Sequence, residues 1–304
     1  MPINQKIKLL LELSGFSQSE LASKIGVTFA AFNRWLNNKA APRKNAIQRI
    51  DSLLGKYGVK TDQKISFLSA KKLAIEKLRQ KNKNILGKIL ARGDLIDELS
   101  LQITYNSNAI EGSTLSEKET REIIFDGRAL SRPTLNEQLE AKNHHKAFLF
   151  LLSYLKAVGK IKEKLAKDLH KILLAGIKED AGNYRRQPVR ILGSFVPTAN
   201  YLKVPELIKK LFTRKNKKEK LDFAVHFHVD FEKIHPFSDG NGRTGRLLLI
   251  GMLLQENIAP PIISKKKRAG YYKALQEAQL AENYEPILEC VCDAILRGYK
   301  IIEG

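Results

Sequence analysis

The sequence predicts an all-α protein: a helical core interrupted by one short β-hairpin, preceded by a small helix-turn-helix domain. Three observations predict it. Apolar residues recur at i, i+3 and i+4 in nearly every segment, the period of a helix with one buried face. Helix punctuation recurs as well. Ser17 with Glu20, and Ser116 with Glu119, have capping-box spacing, and Gly112 stands where a helix should stop. Only RRQPVRILGSFVPTANYLKV (185–204) breaks the pattern. Its β-branched residues, prolines and Gly-Ser turn read as a hairpin.

A chain of 304 residues has room for two domains. The first spans 1–60. Within it, SQSELASKIGVTFAAFNRWLNNKAAP (17–42) has the layout of two short helices, with Gly26 allowing the tight turn between them. Leu21, Ile25, Val27, Phe32 and Trp35 would form their shared core. The polar stretch GKYGVKTDQK (55–64) marks a boundary. Residues 61–94 read as a basic connector, with one long helix expected over 65–100. Residues 95–304 form the second domain. There, DELSLQITYNSNAIE reads as a helix ending at Gly112, and TRKNKKEK (213–220) as an exposed charge run.

The formal net charge of +21 favours a polyanionic or nucleotide partner. The two cysteines, Cys290 and Cys292, point to different sides of a helix, so neither a disulfide framework nor a four-thiolate metal site is expected. No run of 18 apolar residues exists, which predicts no membrane span and a soluble, cytoplasmic protein. In HFHVDFEKIH, His226 and His228 lie about 200° apart around a helix and are expected to be structural. His144 and His145 are adjacent and read as partly exposed.

The most informative stretch is HPFSDGNGRTGR (235–246), which leads into the apolar run LLLIGMLL. If it turns into a helix starting near Thr244, backbone N–H groups gather at a helix N-terminus, which favours an anion. Gly240 and Gly242 would let the backbone approach that anion. Arg243 and Arg246, three apart, would point at one polyanionic group. Asp239 is out of place beside phosphate unless a cation such as Mg²⁺ lies between them. Asn241 offers an amide to a phosphate oxygen, and His235 is suited to take a proton from an incoming hydroxyl. These are the parts of a phosphoryl or nucleotidyl transfer site.

The same twelve residues resemble the Fic family signature. The resemblance covers about 95–300 and implies an all-helical core with a β-hairpin flap over the site, here 185–204, which aligns the target segment. It implies transfer of AMP from ATP to a Tyr, Thr or Ser hydroxyl of a target protein. His235 would be the base, and Asp239 would hold Mg²⁺ at the α- and β-phosphates. Gly240, Asn241, Gly242 and Arg243 would cradle the phosphates, and Arg246 would hold the γ-phosphate. A kinase-like branch has lysine at the second glycine, which Gly242 disfavours; a phosphocholine-transferring branch stays open. In AGYYKAL (269–275), which resembles a Fic segment near the nucleotide base, Tyr272 or Tyr271 could stack on adenine, with aromatic packing the alternative. Dimers are common in the family, so a homodimer is compatible with it.

Glu111 in SNAIEG (107–112) sits at the negative end of its helix and needs a cationic partner, with Ser107 one turn earlier on the same face. The segment resembles the inhibitory motif of the Fic family, within an inhibitory helix at 95–112. It implies that Glu111 pairs with Arg246 and silences the enzyme. In some relatives this glutamate also assists AMP removal, so that reverse reaction stays open.

The first 55 residues resemble repressor-type (Xre-like) helix-turn-helix domains, which read DNA with the start of the second helix. Those positions here are Thr28, Phe29, Ala30 and Ala31, three of which cannot hydrogen-bond a base edge. Gln18, Thr28, Asn33 and Arg34 are the DNA-contact candidates, with Lys39, Arg43 and Lys44 as further phosphate contacts. A DNA-binding transcriptional regulator is thus the rival to the enzyme.

Overall fold

A computed structural model describes residues 1–59, 66–190, 196–215 and 219–304. They separate into two compact units, Met1–Lys83 and Asn84–Gly304.

The first unit contains α1 (Ile3–Ser14), α2 (Gln18–Ile25), α3 (Phe29–Leu36), α4 (Lys44–Lys56) and α5 (Phe67–Lys81). The Ser17–Glu20 capping box forms: Ser17 Oγ accepts from Glu20 N at 3.2 Å, and Glu20 accepts from Ser17 N at 2.7 Å. Gly26 takes the left-handed turn at φ 78°. Leu21, Ile25, Phe32 and Trp35 are buried as expected, whereas Val27 is half-buried.

The single helix expected over 65–100 is three separate helices: α5, α6 (Ile85–Leu90) and α7 (Gly93–Glu111). The chain leaves helical conformation at Asn82 (ψ 78°), and Asn84 completes the first break. It sits in the left-handed region at φ 54°, where no helix continues, and its carboxamide caps α6 by accepting from Gly87 N at 3.0 Å. α5 packs against α1, and Lys71 reaches Glu12 at 3.4 Å. This part of the expected connector therefore belongs to the first unit, while residues 60–65 lie outside the described ones.

The second unit adds α8 (Glu117–Ile124), α9 (Leu135–Ala157), α10 (Glu163–Leu173), α11 (Val204–Thr213), α12 (Lys220–Ile234), α13 (Asn241–Gln255), α14 (Arg268–Ala281) and α15 (Glu285–Glu303). Helix α13 is its centre: α7, α9, α10 and α12 all pack against it. That explains LLLIGMLL, since a helix covered on every side must be apolar all round. α13 begins at Asn241, one turn earlier than expected. Its N-terminus receives the chain from α12, and α7 crosses beside it, so the two motifs singled out in the sequence meet at one end of the central helix.

Among the described residues of 185–204 no strand forms, and the expected hairpin tip, 191–195, lies outside them. Pro188 and Pro197 remove ladder donors from both flanks. A side chain joins the flanks instead: Thr198 Oγ1 donates to Val189 O at 2.8 Å. No helix among the described residues is long and apolar enough to cross a membrane.

Candidate active site

The site is built on the short connection from α12 to α13. His235 ends α12 in the left-handed region at φ 52°, and its N–H donates to Phe231 O at 3.0 Å. Its ring Nδ1 lies 3.1 Å from Glu232 O. A carbonyl only accepts, so Nδ1 carries the proton and Nε2 keeps its lone pair. Burial pushes the imidazole below its usual range, and the nearby Arg185 charge adds to that. A neutral imidazole with an available Nε2 is what a general base requires.

The loop is locked from several sides. The Asn241 carboxamide closes it on the backbone, accepting from Phe237 N at 2.9 Å and donating to Phe237 O at 3.0 Å. The sequence reading gave this amide to a phosphate oxygen; here it holds the loop's shape. Gly240 is left-handed at φ 68°, and a Cβ there would lie 2.6 Å from Leu174 Cδ2. Packing against Leu174, just past the end of α10, thus adds to the backbone conformation in favouring glycine.

His170 of α10 is a contributor that sequence reasoning missed. It stacks on Phe237 with ring centroids 3.8 Å apart. Its Nδ1 accepts from Gly182 N at 2.8 Å, so Nε2 is the donor to Asp239 O at 3.0 Å. Burial pushes this imidazole down to about 4. Nothing in DLHKIL signals the role, because the contact spans 69 positions.

The two arginines are buried and paired differently. Arg243 meets Glu140 of α9 at 2.6 Å and Asp239 at 3.6 Å. Arg246 donates from Nε to Ser107 Oγ at 3.0 Å and from Nη2 to Ser107 O at 3.1 Å. Nη2 also meets Glu111 Oε1 at 2.6 Å. Burial opposes the charge on both partners of this last pair. Their mutual attraction overcomes it, holding Glu111 below the usual carboxylate range and Arg246 above the usual guanidinium range. Gly242 makes room for the pair: a Cβ there would fall 2.2 Å from Glu111 Oε1 and 2.9 Å from Arg246 Nη1.

Asp239 is exposed at the mouth of the loop and accepts from Gly240 N at 2.6 Å. Among the described residues no three His, Cys, Asp or Glu side chains gather as a metal cage. A lone carboxylate beside a helix N-terminus still fits Mg²⁺, which usually takes one or two carboxylates and completes its shell with phosphates and water. Tyr272 donates to Ile110 O at 3.2 Å, with Glu111 3.4 Å from its hydroxyl. Tyr271 is buried with its hydroxyl 2.7 Å from His228, so packing accounts for it.

The structure therefore gathers Ser107, Glu111, His235, Asp239, Gly240, Asn241, Gly242, Arg243, Arg246 and Tyr272 in one place. Of the discounted histidines, His226 stacks on Tyr284 at 3.6 Å and His228 is buried. His144 is fully buried against Thr104, contrary to the expected exposure, because α9 packs that face on α7. Gln18, Thr28, Asn33 and Arg34 lie in the first unit. The Thr28 hydroxyl caps α3 by accepting from Ala31 N at 3.3 Å, and the Asn33 carboxamide accepts from Asn37 at 2.9 Å.

Residues 160–253 match the family model described as "Fic/DOC family", and residues 7–58 match one described as "Helix-turn-helix". The chain is 29% identical over 203 residues to "Protein adenylyltransferase Fic" of Drosophila persimilis, covering 64% of this chain and 39% of that protein. It is 30% identical over 209 residues to the Aedes aegypti protein of the same name, covering 66% and 41%. The chain thus spans about two fifths of the length of these curated relatives. Its fold is similar to that of a Fic domain containing signaling protein from Bacteroides thetaiotaomicron, with TM-score 0.62, 21% identity, and coverage of 78% of this chain and 95% of that one. It is similar also to a Fic family protein from Desulfovibrio desulfuricans, with TM-score 0.63, 24% identity, and coverage of 80% and 76%. With both matches falling on the units and loop described above, the chain carries a Fic/DOC family domain and, toward its N-terminus, a helix-turn-helix domain.

Proposed function

We propose that the chain is a protein adenylyltransferase that moves AMP from ATP to a hydroxyl of a target protein and is held inactive by Glu111. The observation that carries the proposal is the 2.6 Å pair between Glu111 and Arg246, formed across 135 positions of sequence at the N-terminal end of α13. The curated relatives' shared name supports the reaction class.

His235 Nε2 takes the proton of the target hydroxyl. The hydroxyl oxygen attacks the α-phosphorus, and pyrophosphate leaves. The first-turn N–H groups of α13 and the Arg243 guanidinium face the growing negative charge. Asp239 would hold Mg²⁺, which supplies charge neutralisation on the phosphates when bound. Arg246 would clamp the γ-phosphate, but only when Glu111 releases it. The flanks of 185–204 beside His235 suit a flap that aligns the target segment.

The test uses cell lysate, Mg²⁺ and ATP labelled on the α-phosphate, with wild type, Glu111→Gly, and Glu111→Gly combined with His235→Ala. Label on protein in the second reaction alone is expected, with none from γ-labelled ATP. Label from γ-labelled ATP, or equal label from wild type and Glu111→Gly, would overturn the proposal. An AMP-modified target incubated with wild type tests whether the same site also removes AMP.

A second reading concerns the first unit, and the helix-turn-helix match at 7–58 favours it. Residues 1–83 hold seventeen lysines and arginines against five acids, a charge suited to DNA phosphates. Gel shift on the DNA upstream of its own coding sequence is expected to weaken steeply with salt; salt-independent or absent binding rejects this reading.

A further inference from the structure

Arg185 is 3% exposed, yet among the described residues no carboxylate pairs with it, and burial alone lowers its pKa. A buried guanidinium without an acid must find its partners elsewhere. Here they are backbone carbonyls. Nε donates to His235 O at 2.7 Å, and Nη2 donates to Ala199 O at 2.5 Å and to Ile234 O at 3.4 Å. Nη1 donates to Gln187 O at 3.0 Å. The Arg185 N–H donates to Pro236 O at 2.9 Å. One residue therefore ties the end of α12, the peptides on both sides of Pro236, and both flanks of 185–204.

His235 needs such a tie. A left-handed φ of 52° is uncommon for a residue with a side chain and persists only where its surroundings impose it. Its N–H is held by Phe231 O and its carbonyl by Arg185 Nε, so the peptide groups on both sides are fixed. That fixed backbone lets the ring reach Glu232 O through Nδ1 and leaves Nε2 without the proton.

We propose that Arg185 is a positioning residue: its planar fork holds His235 in the Nδ1-protonated form and links the base to both flanks of the 185–204 segment. Its importance for transfer rests on the adenylyltransferase reading above; its effect on the His235 ring does not. Lysine keeps the charge but presents its donors from one point, so it cannot span carbonyls on both sides of the loop.

The test uses the full chain, with histidine-labelled NMR on wild type, Arg185→Lys and Arg185→Gln, and initial rates of the same variants in the Glu111→Gly background. Circular dichroism melts report folding. In wild type, His235 is expected as the Nδ1–H tautomer. Folded Arg185→Lys is expected to show mixed Nδ1–H and Nε2–H tautomers, because the backbone that lets Nδ1 reach Glu232 O is no longer fixed. In the Glu111→Gly background its kcat should fall roughly tenfold or more with KM for ATP unchanged. An unchanged tautomer in a folded variant overturns the proposal. Variants that both fail to melt cooperatively would make Arg185 a folding residue and overturn it as well. If the ring responds as expected but Glu111→Gly transfers no AMP, the adenylyltransferase reading falls and the positioning role stands.

Discussion

Glu111 Oε1 lies 2.6 Å from Arg246 Nη2, at the point where the C-terminus of α7 meets the first turn of α13. A carboxylate at the C-terminal end of a helix is unfavourable by itself. The pairing makes it favourable, and Ser107, one turn earlier on α7, fixes the other edge of the same guanidinium. Two residues of one helix thus occupy the arginine that, in the proposed function, clamps the γ-phosphate.

The pair predicts how stability changes with pH. The folded-state pKa of Glu111 lies below its ordinary value of 4.5. The stability it adds is therefore fully present above pH 4.5 and is lost as pH falls through the lower folded value. Glu111→Gln should be less stable than wild type by about 1–3 kcal/mol at pH 7, because it leaves Arg246 buried with only Ser107. The gap should narrow below pH 4.5. Urea unfolding at a series of pH values measures it, and a gap independent of pH would show that the charge pair contributes nothing.

Gly242 predicts a coupling. A Cβ there would occupy the seat of the Glu111 carboxylate. Gly242→Ala should expel Glu111 and weaken its hold on Arg246. Glu111→Gly should then raise transfer by a smaller factor in the Gly242→Ala background than in wild type. The double-mutant cycle for initial rates should show an interaction of about 1 kcal/mol or more. Additive effects would mean that the alanine and the carboxylate do not compete for the same space.

Most of the residues gathered at the candidate site stood out in the sequence by type, because glycine, arginine, acid and histidine rarely fall together within one turn. The Glu111–Arg246 pair was legible in part: the carboxylate's place at a helix C-terminus called for a cation, and the family resemblance named it. The contacts that fix the loop's shape were not legible. Asn241 looked like a phosphate donor but closes on Phe237, and either use suits an amide. His170, Glu140 and Arg185 sit in ordinary amphipathic or loop sequence, and only tertiary packing brings them to the loop. The expected long helix failed for local reasons at two places, a non-helical Asn82 and left-handed Asn84 at the first break and an extended Arg92 at the second, which continuous helical spacing does not reveal.

His170 predicts a second pH response, in the opposite direction to a histidine stabilised by charge. Its folded pKa of about 4 lies below the ordinary 6.5. Unfolded chains then bind more protons between those values, so stability falls as pH drops from 6.5 toward 4. The loss is on the order of 3 kcal/mol at 1.36 kcal/mol per unit. His170→Gln should start less stable at pH 7, having lost the stack on Phe237, but should decline less steeply over that window. Parallel pH profiles would remove His170 as the source.

Glu140 predicts a fourth effect, which separates structure from chemistry at Arg243. Arg243 is buried, and its short contact is with Glu140 at 2.6 Å; Asp239 stands off at 3.6 Å. Removing Glu140 leaves a buried guanidinium whose nearest acid is the proposed Mg²⁺ ligand. Breaking a buried pair usually costs about 3–5 kcal/mol. Glu140 is partly exposed and Asp239 can move closer, so Glu140→Gln should cost about 1–3 kcal/mol in urea unfolding. In the Glu111→Gly background, the same change should raise the Mg²⁺ concentration needed for half-maximal transfer several-fold, because Arg243 then competes with the cation for Asp239. A loss of stability with unchanged Mg²⁺ dependence would confine Glu140 to packing and leave Asp239 independent of its neighbour.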